Sequence, residues 1–239
     1  MVGLGTILNT LEILLGGVLG ALFGRFLRES AQETLTKVCG VSTLFIALSG
    51  AMEGMLTVEN GSIVSSGSML IVICLALGAV VGEAMNIEGA FERFGEWLKV
   101  KSGNARDPRF VNAFVTASLT VCIGAMAIVG AIEDGIQGDP SILMTKSVLD
   151  LIIITVMTAS MGKGCLFSAI PVAILQGGVT LLARLIQPIM SDAALANLSL
   201  VGNVLIFCVG INLVWDKRVR VANLLPAIVI AVIAAFLPF

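Results

Sequence analysis

Leu4-Gly-Thr-Ile-Leu-Asn9-Thr-Leu-Glu12-Ile-Leu-Leu-Gly16-Gly17-Val-Leu-Gly20-Ala-Leu-Phe-Gly24 is an apolar run of 21 residues with a single ionisable side chain. The hydrocarbon core of a bilayer takes about 20 such residues per helix, so the run reads as a transmembrane helix. Arg25 and Arg28 follow it, whereas the basic region of a cleaved signal precedes the apolar one. The run is therefore expected to stay in the mature protein. The same ruler finds seven more segments, at 38–56, 68–85, 111–132, 145–162, 165–186, 194–215 and 222–239. The sequence thus predicts an all-α integral membrane protein of about eight transmembrane helices, with residues 1–239 as one membrane domain.

Composition agrees. Hydrophobic residues make up 57% of the 239 and charged ones 13%, with a mean hydropathy of +1.04. A soluble domain uses about a quarter charged residues to cover its surface. The longest polar stretch, 86–109, is too short to bury a core of its own. The lipid bilayer is the expected partner, and without a basic patch interleaved with aromatics nucleic acid is not. Histidine and tyrosine are absent, which removes the commonest zinc ligand and the commonest general base. Five cysteines stand singly, with no C-x-x-C pair, and read as small hydrophobes between helices. There is no G-x-x-x-x-G-K-[ST] loop and no Ser–His–Asp set. Neither enzymatic activity, nor a cofactor, nor a metal centre is expected.

Charge placement orients the segments, because cytoplasmic loops are enriched in Lys and Arg. With the N-terminus outside, eight crossings put Arg25, Arg28, Lys37, Arg93, Lys99, Lys101, Arg106, Arg109, Lys163, Lys217, Arg218 and Arg220 inside. Only Lys146 and Arg184 of the 14 basic residues fall outside. A multi-pass protein with both termini outside follows. In the loop after the third segment, Ile87, Phe91, Phe94, Trp97 and Leu98 recur at helical spacing. They describe an amphipathic helix in the headgroup region, anchored by Trp97.

Short matches suggest internal duplication. Gly50-Ala-Met-Glu53-Gly54 resembles Gly130-Ala-Ile-Glu133-Asp134-Gly135, and Gly210 follows at the same interval of 80. Leu15-Gly-Gly-Val18 also matches Gln176-Gly-Gly-Val179, in segments expected to run in opposite directions. Inverted repeats around a midplane site produce this pattern; so does chance in a chain with 26 glycines.

Several residues are candidates for function. Gly16, Gly20 and Gly24 form overlapping G-x-x-x-G motifs that let another helix approach closely, either within the chain or in a homo-oligomer joined through the first helix. Ionisable groups at membrane depth are costly and usually functional. Glu12 lies near the midplane with Asn9 a turn before it, and Lys146 and Asp150 are spaced i, i+4 so as to pair. Gln176 and Asn203 fall at similar depth and Asn212 deeper toward the inside, as ligands or as interhelical hydrogen bonds. Pro171 is expected to kink the sixth segment or to free carbonyls there. Glu53, Glu59, Glu133, Asp134 and Asp139 make an outer acidic rim, either a cation funnel or a solvated loop.

The run Cys122-Ile-Gly-Ala-Met-Ala-Ile-Val-Gly130-Ala-Ile-Glu-Asp134-Gly135, then Lys146-Ser-Val-Leu-Asp150, Leu166-Phe-Ser-Ala-Ile-Pro171 and Gln176-Gly-Gly178, resembles the bacterial membrane family called domain of unknown function 554. Gly5-Thr-Ile-Leu-Asn9 and Val221-Ala-Asn-Leu-Leu-Pro226 resemble its ends, so the likeness covers nearly the whole chain. Leu151, Lys163 and Glu12 depart from the family pattern. The resemblance implies a location in the bacterial cytoplasmic membrane and a transporter of unassigned substrate. The expected function is a secondary transporter or channel for a small solute, a cation or cation-coupled. Asp150 would be its charged site, aided by Lys146 and Glu12, with Asn9, Gln176 and Asn212 as neutral ligands and Glu133 and Asp134 at the entrance. The alternative is a non-transporting membrane scaffold.

Overall fold

The computed structural model describes residues 2–59, 61–216 and 218–237, with Glu59 and Ala125 described in backbone only. Lys217 and the last two residues of the final expected segment lie outside the described residues. The chain is an all-α membrane protein. Its helices are α1 (Leu4–Gly24), α2 (Glu29–Met55), α3 (Ser68–Met85), α4 (Ile87–Lys101), α5 (Phe110–Cys122), α6 (Ala125–Ile136), α7 (Ser141–Met161), α8 (Ala169–Leu181), α9 (Ala183–Ile186), α10 (Asp192–Trp215) and α11 (Pro226–Ala234). Short 3-10 turns precede α8 (Lys163–Ser168) and α11 (Val221–Leu224). Between α2 and α3 an antiparallel hairpin pairs β1 (Leu56–Glu59) with β2 (Ser62–Ser65). The Asn60-Gly61 dipeptide in the sequence is a hairpin signal that hydropathy alone passes over.

Among the described residues, six segments are long and apolar enough to cross a membrane: α1, α2, α3, α7, the 3-10 turn with α8, and α10. The expected fourth segment, 111–132, is two helices, α5 and α6, bent by 61°. Gly124, at φ +145°, makes the break, since L side chains rarely adopt that backbone. The bent pair still runs the length of α7. Phe110 packs at Gly164, just beyond the Met161 end of α7, while Gly130 packs on Leu143 at the opposite end. As a broken span it makes a seventh crossing. The eighth segment is a shorter apolar helix, Val221–Ala234, whose first turn is 3-10.

The sixth segment also differs from expectation. Pro171 is the third residue of α8, directly after the 3-10 turn Lys163–Ser168. Amphipathic α4 forms as read. Phe94 stacks on Trp97 and meets Phe114 of α5 edge-on, both at 5.8 Å. Its start is latched by a reciprocal pair: the Glu88 N–H donates to Asn223 Oδ1 at 2.7 Å, and the Ala222 N–H donates to Glu88 Oε2 at 3.1 Å.

Membrane helices gain little from apolar burial against lipid and associate through close packing at small residues. In α1 these are the G-x-x-x-G glycines. A Cβ on Gly16 would stand 2.7 Å from the Leu151 carbonyl oxygen and one on Gly24 2.8 Å from that of Ala159, while one on Gly20 would collide with the Thr155 carbonyl. The stripe therefore faces α7 of the same chain, the first of the two arrangements that the sequence allows. Both residue numbers rise along this contact, so α1 and α7 are parallel. Gly40 against Val214 and Gly54 against Leu200 make α2 and α10 antiparallel. The other face of α1 exposes Leu11, Leu14, Leu15, Val18 and Leu22, as a lipid-facing surface does.

The glycine matches occupy dissimilar places. Gly16 and Gly17 are tightly covered, whereas a Cβ on Gly177 or Gly178 would meet nothing within 4 Å. Gly50 and Gly210 both lie in the α2–α10 contact, while Gly130 packs on α7.

Candidate functional site

Asp150 is the tenth of the 21 residues of α7, half-way along the helix, and is 4% exposed. Lys146 stands one turn earlier on the same face, and its ammonium donates to Asp150 Oδ2. It also donates to the Val121 carbonyl oxygen at 2.9 Å. That carbonyl belongs to the last turn of α5, where the break at Ile123–Gly124 leaves carbonyls without helical partners. Lys146 thus sits where a half-helix presents its negative end. Broken helices that end in this way supply cation ligands in membrane transporters.

Helix α1 supplies the opposite wall. Asn9 and Glu12 lie a turn apart on α1, which packs along α7 with Gly16 at Leu151. Asn9 is fully buried and its Nδ2 donates to Gln176 Oε1 of α8 at 3.2 Å. A turn away on each helix, the hydroxyls of Thr6 and Thr180 share a bond of 3.2 Å. Asn9 Oδ1, Gln176 Nε2 and Glu12 Oε2 are all buried without a hydrogen-bond partner. A single bond between two amides always leaves one donor and one acceptor over, whichever way each amide is turned. Buried polar atoms are nearly always paired, and leaving one unpaired costs about 1–3 kcal/mol. Three orphans beside an ion pair at mid-bundle mark a site with unused ligand capacity.

The structure therefore brings Asn9, Glu12, Lys146, Asp150 and Gln176 together and leaves the other candidates elsewhere. Asn212 folds the turn after α10: its Nδ2 donates to the Val219 carbonyl at 2.7 Å, and its Oδ1 accepts the Arg218 and Val219 N–H groups. Asp134 does not belong to an exposed rim. It is fully buried, and its carboxylate accepts the N–H groups of Gly3, Gly5 and Thr6 at 3.0–3.4 Å. It thereby caps α1, where unpaired amides and the helix dipole favour a negative charge. Glu133 is half-buried on α6, apart from the ion pair. Asn203 Nδ2 bonds back to Ser199 in its own helix at 2.9 Å.

Two functional features are not legible in the sequence, the Val121 carbonyl and the break that frees it. Gly124 is their only signal. A cavity of about 890 Å³ opens between α4, α5 and α10. Its lining on α5 includes Asn112, Thr116 and Leu119 and ends two residues short of Val121. Neither Lys146 nor Asp150 lines this cavity or two others of about 650 and 780 Å³.

Residues 4–236 match the family described as protein of unknown function (DUF554). The chain is similar to the uncharacterized protein YqgA of Escherichia coli (strain K12), with 29% identity over 95% of this chain and 94% of that one. It is also similar to the uncharacterized membrane protein YdfK of Bacillus subtilis (strain 168), with 25% identity over 97% and 95%. No solved structure matches.

Proposed function

The chain belongs to the DUF554 family of membrane proteins, and from that premise we propose that it is a secondary transporter or channel for a small cation, with Asp150 as the charged ligand. The observation that carries this reading is the set of orphaned atoms, Asn9 Oδ1, Gln176 Nε2 and Glu12 Oε2, around the Lys146–Asp150 pair. Glu12 Oε2 is an acceptor with no donor of its own, a place that a small cation fills. Oxygen ligands without His or Cys suit a hard ion such as Na⁺: the Asp150 carboxylate, the Asn9 amide oxygen and the Val121 carbonyl. Lys146 occupies part of this position as a tethered cation that an incoming ion displaces.

The test is the melting temperature of purified protein against Na⁺, K⁺, Li⁺ and pH at constant ionic strength. A ligand that binds only the folded state stabilises it by about 2.7 kcal/mol at 100 times its Kd. A rise specific to one cation supports the site; an identical curve in every salt and at every pH contradicts it. One observation favours a second reading, a non-transporting scaffold: none of these three cavities reaches Asp150. In that reading the pair only joins α7 to the end of α5.

We further place the protein in the bacterial cytoplasmic membrane with both termini outside, on the strength of the basic asymmetry. In a cysteine-free background, Ser62→Cys and Gly138→Cys are expected to react with an impermeant thiol reagent in intact cells. Gly103→Cys is expected to react only after lysis. Labelling of Gly103→Cys from outside would reverse the orientation.

A further inference from the structure

Away from the Asp150 site, a second cavity of about 780 Å³ opens where α1 and α7 end. Its lining includes Arg25, Arg106, Arg109 and Lys163, with Asp107 as the one acidic residue. These four cations come from three places in the chain: the end of α1, the loop between α4 and α5, and the turn after α7. Among the described residues none of the four makes an ion pair.

Helix ends account for only two of them. Arg25 and Lys163 follow the C-termini of α1 and α7, where a positive charge is favoured. Arg109 is the N-cap of α5 and Arg106 lies three residues earlier, at a helix end whose own partial charge is positive. Cations placed there oppose the dipole and one another.

Yet Arg109 is held in position. Gln32 donates through Nε2 to the Gly24 carbonyl at 3.0 Å and accepts Arg109 Nη1 on Oε1 at 3.3 Å. The loop is fixed from below, since Asp107 Oδ1 accepts the Arg109 N–H at 2.9 Å and the Asp107 N–H donates to the Asn104 carbonyl at 2.9 Å. In the cavity wall the Thr158 hydroxyl is buried without a hydrogen-bond partner.

We propose that this cavity binds a phosphate group. Three guanidiniums and an ammonium converge on one concavity against the single carboxylate of Asp107. Arginine forks match phosphate oxygens in pairs. Because the cavity lies where two membrane-spanning helices end, the phosphate is either the headgroup of an anionic phospholipid or a free phosphate from solution.

The experiment titrates delipidated full-length protein in dodecyl maltoside with palmitoyl-oleoyl phosphatidylglycerol, with the matching phosphatidylcholine, and with sodium phosphate against sodium chloride at equal ionic strength. Native mass spectrometry and melting temperature give the Kd. Phosphatidylglycerol is expected to bind at least tenfold more tightly than phosphatidylcholine. Arg106→Gln with Lys163→Gln is expected to lose at least tenfold of that affinity, and Arg109→Gln to lose more. The double variant changes two exposed side chains, so its unliganded melting temperature serves as the folding control. Binding of phosphatidylglycerol alone assigns the headgroup, and comparable binding of inorganic phosphate assigns the free anion. Equal affinity for the two lipids without phosphate binding, or unchanged affinity in a folded double variant, overturns the proposal.

Discussion

Gly20→Leu is expected to lower the melting temperature in detergent more than any other single change in α1, with no change in oligomer size. At Gly20 even a methyl group would collide with the Thr155 carbonyl and stand 2.7 Å from Thr158 Cβ. Rigid backbone cannot give way as a flexible side chain does, so α1 must separate from α7 along the stripe of Gly16, Gly20 and Gly24. Overpacking a core costs about 1–3 kcal/mol and occasionally more; a contact between backbones belongs at the upper end. The change also moves Asn9 and Glu12 away from Asp150, so stability and site are lost together. Gly178→Leu is the control. Its side chain enters open space, and leucine is the better helix former by somewhat less than 1 kcal/mol, so stability is expected to hold or rise. Equal losses in the two variants would mean that α1 does not meet α7 through its glycines. A shift to smaller oligomers with Gly20→Leu would place the stripe between subunits.

What the sequence revealed and what it hid divide along a physical line. Hydropathy reports depth in the membrane, and of the residues assigned to mid-depth Asn9, Glu12, Asp150 and Gln176 lie together, whereas Asn203 bonds back within its own helix. Local spacing reports faces, and the i, i+4 relation of Lys146 and Asp150 and the apolar stripe of α4 were legible for that reason. Neither signal reports which helix stands beside which. Asn212 was grouped with Asp150 on polarity and depth, yet its amide closes the turn after α10. Asp134 looked like a rim carboxylate because its partners, the amides of Gly3, Gly5 and Thr6, lie about 130 residues away in the chain. The break at Gly124 was hidden because 111–132 carries no charged residue. A glycine in such a run is compatible with a helix, and only packing decides whether it adopts positive φ.

The second large effect belongs to the buried pair. Asp150→Asn leaves the Lys146 ammonium without its carboxylate at mid-bundle. Removing one partner of a buried ion pair costs about 3–5 kcal/mol, so a sharp loss of melting temperature is expected. Lys146→Met with Asp150→Asn removes the stranded charge as well and is expected to recover most of that loss, because replacing both partners of a buried pair is often close to neutral. The double variant thus separates folding from function. It keeps α7 packed against α1 and α5 while deleting the carboxylate that would offset the dehydration of an ion at that depth.

The decisive measurement is the melting temperature of wild type and of this double variant, each titrated with Na⁺, K⁺ and Li⁺ and across pH 5–8 at constant ionic strength. The account predicts that wild type is stabilised by one cation or by protons. It predicts that the double variant, folded and near wild-type stability without ligand, shows no such response. A folded double variant that retains the full wild-type response would contradict the assignment of Asp150 as the cation ligand.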